Sequence, residues 1–475
     1  MKKVIYLIGC VVAVSVMAQD KTAMKYAKTI TAEDLKGHLS VLASDEYEGR
    51  ETGKKGQKMA AKYIADHFKN LGFEAPVDGS YFQTFDLQES SIGNVYFRKD
   101  DEKMLGFEDF IYYSSAETTG EEYIKVVMAD KDSDPKGFDG AYVAFATAEL
   151  SGYQDFIDKA KEAGAKGFII ILKNEDEFNS MKTRVGGFLK RPNLRLGEST
   201  RLVDKLIVAN ESLASWIFEK SMDEINMGDK AIIIFNADYL HKPVSTENVL
   251  GFLKGTEKPE EVLVITSHYD HVGIINGEIH NGADDDGSGT VSVLEVAEAF
   301  ATAAKKNNGP KRSVLFMTVT GEEKGLLGSQ YYTDHSPVFP LENTVANLNI
   351  DMVGRVDDAH KDNSDYIYLI GSDKLSTELH ELSENINKTY TKLELDYTYN
   401  DENDPNRFYY RSDHYNFAKN NVPIIFYFNG THPDYHKPTD TVEKIDFETM
   451  EKRARLVFYT GWEIANRAER LKVDK

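Results

Sequence analysis

Cysteine is almost missing from this chain: the 475 residues contain one, Cys10. It lies inside an N-terminal segment, MKKVIYLIGCVVAVSVMAQD, that reads as a secretory signal. Lys2 and Lys3 form the positive end, Val4 to Val16 the apolar run, and Val16-Met17-Ala18 a small-residue cleavage site. LIGC resembles a lipoprotein cleavage box, but the apolar run continues past it. Cleavage after Ala18 leaves no cysteine at all, which excludes disulfides and thiolate ligands. Any metal site must then be built from His, Asp and Glu.

Positive charge is also scarce. Lys and Arg number 56 against 78 Asp and Glu, a formal net charge of −22. That argues against nucleic acid or an anionic membrane as the main partner and favours solubility. Long apolar runs are lacking too. The first is too short and wrongly flanked for a stable spanning helix, and no later one reaches the required length. Internal repeats and low-complexity tracts are absent. What is present, 41% hydrophobic and 28% charged residues, is ordinary for a soluble globular protein. The length suggests two to three domains, and the leader implies export to a periplasm or the extracellular space.

The periodicity predicts an α/β chain in several parts. After the signal (1–18), Thr31-Ala32-Glu33-Asp34 fits a capping box, with Leu35, Leu39 and Leu42 at helical spacing. A second helix carries Ala60, Ile64, Phe68 and Leu71 and stops at Gly72. The polar stretch SDEYEGRETGKKG between them reads as a loop. Residues 19–105 are expected to open the main domain, 106–240 to form an inserted α/β domain with its own core, and 241–475 to complete the first. EVLVITS, SVLFMTVT, VANLNI and VPIIFYF are short, nearly continuous apolar runs, as strands buried on both faces should be. TVSVLEVAEAFATAAKK and FETMEKRARLVFYTGWEIANRAERL read as the clearest helices, and ELDYTYNDENDPNRFYY as a long surface loop.

Chemistry-bearing residues gather at the carboxyl ends of those strands, the edge of an open α/β sheet where ligands bind. In SHYDHVG, His268 and Asp270 are two apart and can point to one side, with Asp270 placed to fix the imidazole tautomer. His271 is the rival ligand, but it alternates to the other face. NGADDDGSG sets three aspartates, with Asp285 in the middle, where they repel unless a cation or buried donors hold them. SVLFMTVT runs into Glu322 and Glu323. One carboxylate can bind metal while its neighbour takes a proton from bound water. NLNIDMVGR ends a strand in Asp351, where an unpaired charge is costly, and THPDYHKPTDT offers His432 and His436. Each motif alone is explained equally well by a solvated turn, a helix cap or a surface pair. Their order, His–Asp–Glu–Asp–His at successive strand ends, is much more specific.

The set HYDH, GADDDGSG, GEEKGLLGS, NIDMVG and DYHKPTDT resembles the co-catalytic zinc aminopeptidases, relatives of the glutamate carboxypeptidases and the transferrin receptor ectodomain. The likeness extends over nearly the whole chain after the signal, with 106–240 similar to that family's inserted protease-associated domain. It implies a three-layer αβα fold with a mixed sheet and two Zn²⁺, with Mn²⁺ or Co²⁺ also compatible with the ligand types. It implies His268, Asp285, Glu323, Asp351 and His436 as metal ligands and Glu322 as general base on a metal-bridged water. Asp270 would orient His268, Tyr435 would help hold the oxyanion, and Arg411 or Asp413 would face a peptide substrate. The expected activity is removal of N-terminal residues. A carboxypeptidase acting on acidic C-termini (Arg355, Arg407 and Arg411 being the nearby cations), a single-zinc glutaminyl cyclase and a non-catalytic binding ectodomain stay open at this point.

Overall fold

The computed structural model describes residues 19–147, 154–197 and 205–475; the expected signal segment, with Cys10, lies outside them. The chain divides into two compact units, one made of residues up to Phe85 and from Ser245 onward, the other of Asp86–Val244. The first division falls before the residue 106 expected from sequence. The strand Phe82–Lys99 runs on without a turn and supplies Val95 and Phe97 to the core of the inserted unit.

The main unit is built on a mixed sheet. Its strands are the C-terminal end of Lys230–Leu253 (β1), Lys258–His268 (β2), Arg312–Val319 (β3), Thr344–Ile350 (β4), Tyr366–Ile370 (β5), Glu394–Asp396 (β6) and Ile424–Phe428 (β7). Their order is β6-β5-β7-β4-β2-β3-β1. β7, β4, β2 and β3 are mutually parallel, whereas β1 runs against β3 and β5 against β7, with β6 parallel to β5. After β2 the chain goes to β3 on one side and then to β4 on the other. The strand order therefore reverses next to β2, and such a switch point opens a crevice at the strands' carboxyl ends.

Alternating residues of the parallel strands enter different cores. Leu263, Ile265, Val314, Phe316 and Leu348 pack against the helices Lys21–Ala27 (α1), Ala32–Leu42 (α2), Lys55–Leu71 (α3), Gly289–Lys305 (α4), Thr377–Ile386 (α5) and Phe447–Asn466 (α7). Val262, Val264, Leu315 and Met317 face the other way, toward Tyr332 and the short helix His414–Ala418 (α6). The result is three layers, with the sheet in the middle. Thr31 caps α2 by accepting from the Asp34 N–H, and Gly72 ends α3 at φ 82°. The last helix stops at Asn466, short of the expected Leu471. Arg312 accounts for this: its guanidinium takes the carbonyls of Ile464 and Arg467 at 3.0 and 2.6 Å and draws the tail out of helical geometry.

The inserted unit carries parallel strands Glu122–Met128, Ala141–Thr147, Gly167–Leu172 and Lys205–Asn210, in that order, with Phe110–Tyr112 antiparallel at one edge. Its core is its own, centred on Phe97, Phe145, Ile169, Val208 and Phe235.

Candidate metal centre

The carboxyl ends of β2, β3, β4 and β7 bring His268, Glu322 with Glu323, Asp351 and His436 to one place, and the loop entering α4 adds Asp285. Of the three neighbouring aspartates only the middle one faces this centre. Asp284 accepts from the Gly354 N–H at 2.7 Å and from Ser288 Oγ at 2.8 Å, and its second oxygen lies 3.2 Å from His432 Nε2. Asp286 accepts from the N–H groups of Gly289, Met352 and His268 at 2.8, 3.0 and 3.2 Å. These two aspartates hold strand ends and helix start together. At Gly289 a Cβ would fall 2.3 Å from Asp286 Oδ1 and 2.4 Å from the Ile350 carbonyl, so only glycine lets the loop close that tightly.

Two groups of donors form around Asp285. His268, Asp285 and Asp351 place ligand atoms within 4.8 Å of one another, as do His271, Asp285 and Glu323. In the first, His268 Nε2 is 3.4 Å from Asp285 Oδ1 and 3.6 Å from Asp351 Oδ1. In the second, Glu323 Oε1 is 2.9 Å from His271 Nδ1; His436 stands outside this triad but reaches it, its Nε2 3.0 Å from Asp285 Oδ2 and 3.2 Å from Glu323 Oε2. His271 does not turn away as strand alternation predicts. β2 ends at His268, and beyond it the His271 N–H is caught by the Arg50 carbonyl at 3.2 Å.

The paired glutamates differ sharply. Burial and the charge of Asp285 push Glu323 up, but the imidazoles of His271 and His436 outweigh them and hold it at about 2. Glu322 has no such partner. His268 Nε2 lies 3.9 Å from it, and burial, only partly opposed by His268, raises it well above the usual carboxylate range. Burial alone would depress His436, yet Asp285 and Glu323 lift it to about 10.

The residues fit a pair of cations. His268 Nε2, His271 Nδ1, Asp285 Oδ2 and Glu323 Oε1 are buried without hydrogen-bond partners and converge on the same space. Buried donors are normally satisfied, and nitrogen and carboxylate oxygen are what zinc accepts. The acidic excess among Asp285, Glu322, Glu323 and Asp351 likewise calls for positive charge.

Supporting residues lie beneath. His268 Nδ1 meets the Asp270 backbone carbonyl at 3.1 Å, and the Asp270 carboxylate is farther, at 3.7 Å. That carboxylate accepts from Thr52 Oγ1 at 2.7 Å. Asp351 accepts from Ser412 Oγ at 2.6 Å. Asp413, expected to face a substrate, is instead fully buried and takes a 2.5 Å hydrogen bond from Ser329 Oγ. Arg411 and Tyr435 do line the cleft, with Met352, Phe408, Phe426 and Phe428 as its apolar wall. Met352 and His436 hold left-handed φ values of 59° and 55°, costly for side-chain-bearing residues and typical of functional sites.

Arg50 is a residue the sequence did not single out. Fully buried, it donates to the carbonyls of Leu42, Tyr269, Asn281 and Gly282 at 2.7–2.8 Å, tying both metal-side loops to the end of α2. The only signal was a cation in a Gly-containing loop.

Residues 248–461 match the model of Peptidase family M28. That stretch belongs to the family, and every metal donor named above lies within it. It is 30% identical over 264 residues to a probable leucine aminopeptidase of Arthroderma benhamiae, covering 53% of this chain and 66% of the relative. It is 27% identical over 238 residues to aminopeptidase YwaD of Bacillus subtilis, covering 49% and 47%. The chain thus spans less than two thirds of the first relative and about half of the second. The aminopeptidase from Aneurinibacillus sp. strain AM-1 shares the fold, with a TM-score of 0.53 at 19% identity over 95% of this chain and 98% of that one.

Proposed function

We propose that this M28 chain is an exported, two-zinc aminopeptidase. The observation that carries the reading is the pair of donor groups sharing Asp285, with Glu322 beside them and a member of neither. Bound zinc ions supply Lewis acidity toward a shared water and the scissile carbonyl. His268, Asp285 and Asp351 would hold one ion, and Asp285, Glu323 and His436 the other. Glu322 would accept the proton of the attacking water and return it to the leaving nitrogen. Tyr435, whose phenol burial keeps protonated far above neutral pH, would donate to the oxyanion. The acidic surroundings favour a free α-ammonium group, and the wall of Met352, Phe408, Phe426 and Phe428 suits an apolar first side chain.

A carboxypeptidase that prefers acidic C-termini would need several free cations. Arg355 is engaged by Asp434 at 2.9 Å and Arg407 lies over the Tyr410 ring, which leaves Arg411 on the cleft. Export rests on the leader, and the inserted unit is read as the protease-associated domain. Zinc content per chain, followed by turnover of free and N-acylated peptides, tests the assignment. Two ions and loss of turnover on N-acylation are expected. A metal-free protein or preferential cleavage of acidic C-termini would overturn it.

A further inference from the structure

We infer that His271 is a fourth protein donor to the second cation position, so that this position holds one more protein donor than the first. The inference rests on the two-cation reading above and deepens it. His271 is completely buried, and its Nδ1 is 2.9 Å from Glu323 Oε1 and 3.8 Å from Asp285 Oδ2. Neither of its ring nitrogens is in a hydrogen bond, and the same is true of those two carboxylate oxygens. His436 approaches the same carboxylates, its ring 5.7 Å from that of His271 and inclined by 72°. Two imidazoles thus approach the same two carboxylates.

The backbone makes room for this ring. At Gly282 (φ 54°) a Cβ would stand 2.5 Å from both Cγ and Cδ2 of His271, so any larger residue would drive the imidazole out. Arg50 adds the other constraint, since its carbonyl accepts from the His271 N–H while its guanidinium grips the Gly282 carbonyl at 2.8 Å. One buried residue, through its backbone and its side chain, thereby fixes both walls of the imidazole slot.

The consequence is an asymmetric pair. His271, His436, Asp285 and Glu323 give the second position four protein donors, whereas His268, Asp285 and Asp351 give the first three. The second position should fill first and exchange slowly. The first, beside Glu322, should bind more weakly.

Zinc titration of the full protein against a chromophoric chelator tests this. Wild type is expected to take two ions of unequal affinity. In His271→Ala and His271→Gln the tighter constant should weaken by about tenfold or more, with the weaker one unchanged. Tight and weak constants both unchanged in folded variants would overturn the inference. X-ray absorption of wild type loaded with one equivalent of zinc is independent of any variant: two histidine nitrogens on the metal are expected, and one would overturn it. A wild-type chain that binds no zinc at all would instead bring down the two-cation reading, a distinguishable result.

Discussion

Asp270 accepts a hydrogen bond from the backbone N–H of Glu322 at 3.3 Å, so the residue expected to orient the first imidazole also anchors the loop of the proposed base. Its two oxygens face two donors, Thr52 and Glu322. Asp270→Asn sets an amide N–H₂ against one of them and should lower kcat by about 10–100-fold while both metals stay bound. Steady-state kinetics with metal analysis reads this. Full activity would mean the contact is incidental.

Glu322→Gln keeps size and shape but cannot take a proton. Turnover should fall by about 10²–10⁴-fold with metal content and KM nearly unchanged. A Gln variant that retained most of its turnover would remove the proton-accepting role.

Arg50→Met is expected to be among the most damaging changes outside the centre. It strands four carbonyls that the guanidinium now satisfies, at about 1–3 kcal/mol for each buried group left unpaired, less than additively. Arg50→Lys should recover only part, because an ammonium cannot present the planar fork. Denaturant midpoints together with zinc affinity would separate lost stability from a loosened site.

Phe426→Ala opens the apolar wall of the cleft. If that wall receives the first side chain, kcat/KM for N-terminal Leu or Phe should drop by about 10–200-fold, with a much smaller change for Ala. Equal losses on all three would place the side-chain pocket elsewhere.

Glu295 supplies a pH prediction away from the centre. Buried between helices, it has no hydrogen bond to either oxygen, and burial first, then Glu298 and Asp34, raise it to about 8. His38 Nε2, at 3.6 Å, does not rescue it, because burial also keeps that imidazole neutral. The unfolded carboxyl ionises near its ordinary value while the folded one holds its proton, so this group's contribution to stability is full at acidic pH. It is lost as pH rises from about 4.5 through about 8, above which both states are ionised and the loss levels off. Glu295→Gln should therefore match wild type near pH 4 and exceed it in denaturant midpoint at pH 9. A gain of equal size at both pH values would refute the cause.

Much of this molecule was legible in its residues. Apolar runs ending in His268, Asp351 and the Glu322 pair marked buried parallel strands, since only strands covered on both faces are apolar throughout. With the strand ends identified, the switch-point geometry of an open sheet located the centre. The choice of Asp285 over its neighbours came from resemblance, and the coordinates supply the physical reason: Asp284 and Asp286 are occupied with backbone N–H groups. Periodicity could not say where His271 points, because alternation holds only while the sheet ladder lasts and β2 ends three residues earlier. Nor could it reveal that Arg50, Thr52 and Ser412 support the site or that Asp413 is buried. Those roles depend on segments distant in sequence meeting in space. Local pattern therefore determined the elements and the side chains able to do chemistry, whereas the packing of loops against one another decided which of those side chains face the donor cluster and which hold it in place.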